Sequence, residues 1–328
     1  VKPPDSPQQV SVADFMACAL HDPERGYYAR RIRTVGARGD FATAATLFPG
    51  FGTAVARWLK AEQRVHSGLR HVIEVGAGDG SLMASVRRAT GLWPRLAWKW
   101  HIVESSPALR AVQCDRLGAS VVWHERLEQA LAAAGGEALI YHNELLDAFP
   151  AHLLERRNGD WQEVGLRADG RECLIALDWP EAQRAPFSAL AWQAPEGQRV
   201  ELHRSVREWL QGWAPAWRRG AMLTIDYGDL LPAVYRRRPR GTLRAYLLHQ
   251  RLEGVAVYAN PGRQDITADI NFTDLRNWAA ELGWREASFS TLGEFLAQHL
   301  PVGRQPTALL DPDGAGGAFR CLVHRPVD

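Results

Sequence analysis

The sequence predicts an α/β fold: a Rossmann-like, doubly wound parallel sheet, with a helical arm before it and an antiparallel insertion inside it. Three observations carry this. The stretch His71-Val72-Ile73-Glu74-Val75-Gly76-Ala77-Gly78-Asp79-Gly80-Ser81-Leu82-Met83 reads as a buried β-branched strand, a glycine turn and a helix start. Apolar runs near 100–104, 119–123, 138–142 and 221–228 follow, with helical spacing between the earlier ones, which is the alternation of βαβ units. Asn158-Gly159 and Asp169-Gly170 are hairpin turns in mid-chain, so an antiparallel piece interrupts the parallel one. The expected organisation is an N-terminal helical arm and lid loop over 1–70, a first part of the core over 71–150, an inserted subdomain over 151–215, and a second part of the core over 216–328.

Composition sets the broad class. The chain has 328 residues, 46% hydrophobic and 23% charged, an ordinary globular balance. A net charge of +2 supplies no field for nucleic acid or for a membrane surface, so neither is expected as a partner. Cys18, Cys114, Cys173 and Cys321 lie far apart, with no C-x-x-C spacing, which argues against zinc or a redox pair; no metal is expected. Reduced thiols fit a cytoplasmic location, or the mitochondrial matrix if a presequence has been removed. The first residues lack the apolar segment of a secretory signal, and no later stretch is long enough to span a bilayer. The thirteen Trp are scattered, as core and packing residues are.

In the arm, Ser11 begins a helix with Asp14 three residues on. Phe15, Met16, Ala19 and Leu20 form its apolar face, and Asp22-Pro23 ends it. Gly26-Tyr27-Tyr28 and the Gly-rich run from 36 to 44 are too polar for core and too aromatic for a linker. They read as a lid that closes over a site, or as an Ω-loop packed on the surface. A helix over 53–64 follows, with Ala54, Val55, Trp58 and Leu59 inward.

The glycine turn poses the question of ligand. The dinucleotide fingerprint is G-x-G-x-x-G, whereas here the third glycine arrives one residue early. Glu74 precedes the turn, Asp79 lies inside it, and Glu104 closes the next strand. Carboxylates repel a pyrophosphate at contact range. They suit S-adenosyl-L-methionine (SAM), which carries a sulfonium and an ammonium and no phosphate. An acid at the end of the second strand also accepts ribose hydroxyls. The plainer alternative is a tight turn that binds nothing, and the clustered acids weigh against it. His124 and Glu125 follow the third strand, where an adenine ring would lie.

The fourth strand ends in Asn143-Glu144-Leu145-Leu146-Asp147-Ala148-Phe149-Pro150. Asn143 suits the methionine end of SAM or the acceptor. Glu144 and Asp147 are three apart, so a helical turn would set both on one face, where two carboxylates fit the planar fork of a guanidinium. The competing account is an N-cap and a surface acid. Residues 151–177 then read as a three-stranded antiparallel meander, followed by a helix near 204–213. This insertion is either the acceptor side of the cleft or a packing or homodimer surface. After the strand at 221–228, the run Arg236-Arg237-Arg238-Pro239-Arg240 suits an acidic partner or is a solvated loop. A helix over 273–282 and strands near 285–289 and 318–324 complete a seven-stranded sheet.

Several blocks resemble the MidA-like methyltransferase family, which includes mitochondrial complex I assembly factors that methylate arginine. His21-Asp22-Pro23-Glu24-Arg25-Gly26-Tyr27-Tyr28 and Gly39-Asp40-Phe41-Ala42-Thr43-Ala44 match its N-terminal signature. Asn143-Glu144 with Asp147-Ala148, Asp226-Tyr227-Gly228, Gly241-Thr242-Leu243-Arg244 and Asp265-Ile266-Thr267-Ala268 match later ones. Departures fall at 45–48, at Thr53, at Asp269 where the family has His, and at Asn271 where it has Asp. The resemblance implies a class I methyltransferase sheet with its last strand antiparallel. It implies a cofactor site of Glu74, Gly76, Gly78, Gly80, Glu104, Ser105, Asn143 and Thr43 for SAM. It implies substrate contacts from Tyr28, Asp226, Tyr227, Asp265 and Thr267, and chemistry from Glu144 and Asp147. His249 is the base candidate if the acceptor is a hydroxyl. The implied activity is methyl transfer to an arginine guanidinium of a protein or peptide. The altered blocks keep two alternatives open: a small-molecule or biosynthetic-peptide acceptor, methylated on O or N, and a non-catalytic SAM-binding assembly factor.

Overall fold

The elements follow from local sequence. Val72, Ile73 and Val75 are buried on both faces of the first parallel strand, and Ser81 opens the helix behind it, which buries Leu82, Met83 and Val86. The structure, a computed structural model, describes residues 9–30, 48, 50–248, 250–301 and 314–327. Its strands in chain order are β1 (Val10–Ser11), β2 (His71–Val75), β3 (Lys99–Val103), β4 (Val121–His124), β5 (Glu137–Asn143), β6 (His152–Arg157), β7 (Asp160–Leu166), β8 (Glu172–Ala176) and β9 (Arg199–Leu202). They continue as β10 (Arg219–Asp229), β11 (Arg244–Leu247), β12 (Gln250–Leu252), β13 (Asp265–Thr267), β14 (Ile270–Asn271), β15 (Trp284–Thr291) and β16 (Phe319–Pro326).

Two units are distinct. The sheet unit comprises Ile32–Leu145, Trp209–Gly228 and Trp278–Asp328. Its hydrogen-bonded path runs β15-β16-β10-β5-β2-β3-β4. Neighbours from β10 to β4 are parallel, while β16 is antiparallel to both β10 and β15. Strand order therefore reverses between β2 and β5, and that is where a doubly wound sheet opens a crevice at its carboxyl edge. Helix Phe51–Val65 packs Phe51, Ala54, Val55, Trp58 and Leu59 into the same core as Leu82, Met83 and Val86. Each fully buried large side chain contributes about 1.5–3 kcal/mol. Glu62 on this helix takes a two-point bond from Arg325 of β16, at 3.0 and 2.8 Å. Several of the tryptophans are packing residues: Trp213 stacks on Trp284 at 5.0 Å, with Trp217 edge-on to Trp284 at 5.3 Å.

Histidines line adjacent strands of this sheet. His71 Nδ1 lies 2.9 Å from His101 Nε2, and His101 Nδ1 lies 3.0 Å from His124 Nε2. Such a ladder needs one proton between each pair of nitrogens, so the rings stay neutral. Burial, then the neighbouring His71 and His124, pushes His101 down to about 4. Burial alone takes His142 to about 3. Unfolded imidazoles titrate near 6.5 and the buried ones do not follow, so stability present above pH 6.5 is lost as pH falls towards 4. For His101 the loss is on the order of 3 kcal/mol. The melting temperature should fall steadily between pH 6.5 and 4.5; a flat profile there would contradict this ladder.

The insertion unit comprises Val1–Arg31, Leu146–Glu208 and Asp229–Asn277. The meander β6-β7-β8 forms on the expected turns, with β9 added beside β6 and β1 beside β7. A second sheet has the order β12-β11-β13. This grouping differs from the expected boundaries at 151–215 and 216–328, because the first helix and residues 229–277 belong with the insertion. Long-range bonds account for it. Val10 pairs with Leu166, Arg199 N donates to Pro239 O at 2.8 Å, and Glu201 Oε1 accepts from Thr242 N and Leu243 N at 2.6 and 3.0 Å. The first helix, Val12–His21, is capped as its sequence requires, with Ser11 Oγ accepting from Asp14 N at 3.0 Å.

Candidate functional site

In the sheet unit the carboxyl ends of β2, β3, β5 and β10 lie side by side, and the cofactor candidates sit on them. Gly76 turns away from β2 at φ +67, its N–H held by Val103 O at 3.0 Å. A Cβ there would lie 2.7 Å from Leu145 Cδ1. Gly78 has φ +54 and Gly80 φ +78, so the bend keeps bare backbone where a ligand must come close.

Three carboxylates surround this turn, and they differ in their commitments. Asp79 Oδ1 accepts from Ser81 N at 3.0 Å and Oδ2 from Arg116 Nη2 at 2.8 Å. It holds the first amide of the helix and is already paired with Arg116, so it is not the free charge that its position in the motif suggests. Glu74 is buried and accepts the Tyr141 hydroxyl at 2.9 Å. Burial, with Asp79 and Glu104 nearby, pushes its carboxyl up to about 8 despite that bond. A cationic ligand is what would restore its charge near neutrality. Glu104 ends β3 with Oε1 taking Ser106 N at 2.9 Å and Oε2 taking Gln113 Nε2 at 3.1 Å. Burial raises its pKa too, against these bonds and one from the Ser105 amide. Ser105 is exposed beside it.

Gln113 is absent from the sequence-level candidates, yet it ties the site together. Fully buried, it donates to Glu104 and to Gly78 O at 2.8 Å, and accepts from Trp123 Nε1 at 3.0 Å. Its signal in the sequence is slight: a polar residue one turn after Leu109 on the inward face of helix Pro107–Leu117. Tyr141 was missed as well, because an aromatic in a strand reads as core.

At the end of β5, Asn143 Nδ2 donates to Glu144 Oε1 at 3.1 Å, while Asn143 Oδ1 is buried with no partner among the described residues. A buried acceptor with no donor calls for a ligand. Glu144 adopts φ +50, left-handed backbone that a non-glycine residue rarely holds. Its N–H is fixed by Ile225 O at 2.9 Å. The one-turn helix begins only at Leu146, so the shared helical face expected for Glu144 and Asp147 does not form. Asp226 is fully buried, with Oδ2 accepting from Leu145 N at 3.1 Å and Oδ1 from Tyr227 N at 2.9 Å. It braces the turn after Glu144, and Tyr227 packs on Phe319 at 3.9 Å.

The other candidates lie in the insertion unit. Tyr28 donates to Asp265 Oδ1 at 2.9 Å and stacks on His21 at 5.4 Å. Burial, then Asp265 and Asp147, raises the Tyr28 pKa, so the phenol stays protonated. Asp147 is buried and its carbonyl accepts from Ala268 N at 2.9 Å, which sets it beside the strand carrying Asp265. Thr267 is on the same face of that strand as Asp265, and its buried hydroxyl has no partner among the described residues. Arg244 is buried and bonded to Asp269, which also holds Arg238. Burial would lower the Arg244 pKa, but Asp269, Tyr246 and Asp147 outweigh it and hold it above the usual range. Thr43, His249 and the expected lid over 36–44 lie outside the described residues. Among the described residues no cluster of His, Cys, Asp or Glu suits a metal, and no helix is long and apolar enough to cross a membrane.

The sheet unit fits the expected methyl donor in three respects: Asn143 Oδ1, which has no partner among the described residues, the bare turn at Gly76 to Gly80, and the buried acids Glu74 and Glu104, the second with Arg110 acting on it. Comparisons with known proteins bear on the same point. Residues 52–290 match the model of a family described as S-adenosyl-L-methionine-dependent methyltransferase. The chain is 28% identical to the Drosophila melanogaster protein named protein arginine methyltransferase NDUFAF7 homolog, mitochondrial, over 97% of this chain and 82% of that one. It is 25% identical to the Homo sapiens protein arginine methyltransferase NDUFAF7, mitochondrial, over 82% of this chain and 65% of that one. Among solved structures, a COG1565 superfamily member from Burkholderia thailandensis bound to S-adenosyl-homocysteine superposes with a TM-score of 0.81. That match has 26% identity and covers 97% of this chain and 88% of the other.

Proposed function

The chain belongs to the MidA-like family of SAM-dependent methyltransferases, and from that premise we propose that its methyl acceptor is an arginine guanidinium of a protein or peptide. It is an enzyme that uses SAM. The observation that carries the site is the end of β5, where an orphaned Asn143 Oδ1 and a left-handed Glu144 stand together. Backbone held in a sparsely populated conformation is characteristic of working sites.

SAM supplies an activated methyl on a sulfonium, so the reaction is a displacement that needs alignment more than it needs acid or base. The protein's share is to hold the parts. The bare turn from Gly76 to Gly80 admits the donor to the main chain, Glu104 takes ribose hydroxyls, and Asn143 Oδ1 accepts from an N–H of donor or acceptor. Glu144 orients the acceptor nitrogen, and its negative charge offsets the positive charge that builds there as the S–CH3 bond breaks and the sulfur leaves as a neutral thioether; the methylated nitrogen then releases one proton to water. Alignment of this kind is worth about 7–11 kcal/mol. In the insertion unit, the buried carboxylates Asp147 and Asp265 with the Tyr28 hydroxyl are proposed to receive a cationic part of the acceptor.

The relatives named above are mitochondrial, which favours the matrix over the cytoplasm expected from the cysteines alone. Incubation with methyl-labelled SAM and a lysate should place the label in the protein fraction, on methylarginine after hydrolysis. Label confined to the metabolite fraction would replace this acceptor with a small molecule.

A further inference from the structure

The arginine run that the chemistry above leaves unused lines a cavity of about 730 Å³ in the insertion unit. Arg157, Arg199, Arg237, Arg238, Arg240 and Arg251 face it, against Glu155, Glu172 and Glu253. We propose that this cavity binds a short acidic segment, interspersed with apolar side chains, of the methyl acceptor. The inference rests on the acceptor being a protein or peptide.

The walls are built rather than loose. Arg199 is fixed by Glu155 Oε2 at 2.6 Å and by both oxygens of Glu172 at 3.0 and 2.7 Å. Arg157 pairs with Glu155, Arg251 with Glu253 at 2.7 Å, and Arg238 with Asp269. These pairs leave Arg237 and Arg240 outside any direct ion pair among the described residues, although, against burial and together with Arg199, the Arg240 charge helps to hold the Glu172 carboxyl below its usual range. Their loop is tied to the start of β9, with Gln198 Nε2 donating to Arg238 O at 2.9 Å and Arg199 N to Pro239 O at 2.8 Å, and closes on itself through Gly241 N to Arg238 O at 3.1 Å. Arg237 is held at φ +60 in that clamp. The held loop backbone sets two exposed arginines side by side, and each guanidinium can take a carboxylate through two N–H groups.

Size and lining point to a peptide segment. The volume is within the range of sites for whole organic ligands and far exceeds what a single inorganic anion fills. Val255, 71% exposed, and the half-buried Leu243 also line it and offer apolar surface, whereas Leu153 and Val257 in its wall are themselves buried. These surfaces give a lone anion nothing, whereas leucine-like side chains between acidic ones would cover them.

The test uses a short fluorescein-labelled peptide of alternating glutamate and leucine, read by anisotropy on the full chain. The wild type should bind it, more weakly as salt rises, and should not bind the lysine–leucine counterpart. R237Q/R240Q should weaken binding about tenfold and R237E/R240E further, while SAM binding by calorimetry stays as in the wild type. Absence of wild-type binding, or equal binding by both variants, would overturn the proposal. Displacement by inorganic phosphate but not by chloride at equal ionic strength would overturn it in favour of a phosphate group. None of these readouts needs methyl transfer, so their failure is separate from failure of the labelling experiment.

Discussion

Gly78→Val should abolish SAM binding, raising Kd at least about 100-fold, which is roughly 2.7 kcal/mol. Two effects act together. A β-branched residue at φ +54 is strained by about 1–3 kcal/mol, and relief of that strain would rotate the turn. The isopropyl group also stands where main chain must approach the ligand. Gly78 O is held by Gln113 Nε2, and Gln113 holds Glu104 in turn, so a rotated turn disturbs the acid proposed for the ribose as well. The fold should survive, because the site lies at the sheet edge and β2 is anchored on both sides by β3 and β5. Calorimetric titration with SAM, with circular dichroism as the check on folding, reads this directly. Gly78→Ala should sit between wild type and Val, since it keeps the strain and loses most of the bulk. A folded Gly78→Val protein with wild-type affinity would place the donor elsewhere.

Glu144→Gln is the second large effect, and it separates binding from chemistry. The amide keeps the size of the side chain and the Asn143 contact but loses the charge. Turnover should fall roughly 100-fold or more, within the span ascribed to a well-placed charged group in a transition state. SAM affinity should not change, since Glu74, Glu104 and the glycine turn are untouched. Transfer of labelled methyl to the protein fraction gives the rate, and calorimetry gives the affinity. Undiminished transfer would remove Glu144 from the mechanism. A parallel loss of SAM affinity would make it a cofactor residue instead. Asp226→Asn offers a contrast: Asp226 braces the Leu145 and Tyr227 amides, so this change disturbs the same turn while leaving the Glu144 carboxylate in place.

Much of the fold was legible because its signals are local. A buried strand of β-branched residues, a glycine bend and a helical period occupy thirteen consecutive residues, and backbone preference alone determines them. The Asn-Gly and Asp-Gly hairpins read equally well, and β6, β7 and β8 form on them. The acids at Glu74 and Glu104 were visible since strand ends in a parallel sheet converge. Asp79 shows the limit of that reading. Its place in the motif looks like that of Glu74, yet Arg116, thirty-seven residues away, neutralises it. Glu144 and Asp147 show another. Their spacing suits a helix, but the chain enters a left-handed residue at Glu144 and turns helical only later.

The sequence by itself determined the class of ligand, because glycine spacing and the sign of nearby charge are properties of a short stretch. Tertiary structure decided how each of those acids is held, and it brought Gln113, Tyr141 and the clamped arginine loop to the candidate sites. The reason is physical. A carboxylate or guanidinium acts through its surroundings, and partners distant in sequence meet it only after the chain has folded.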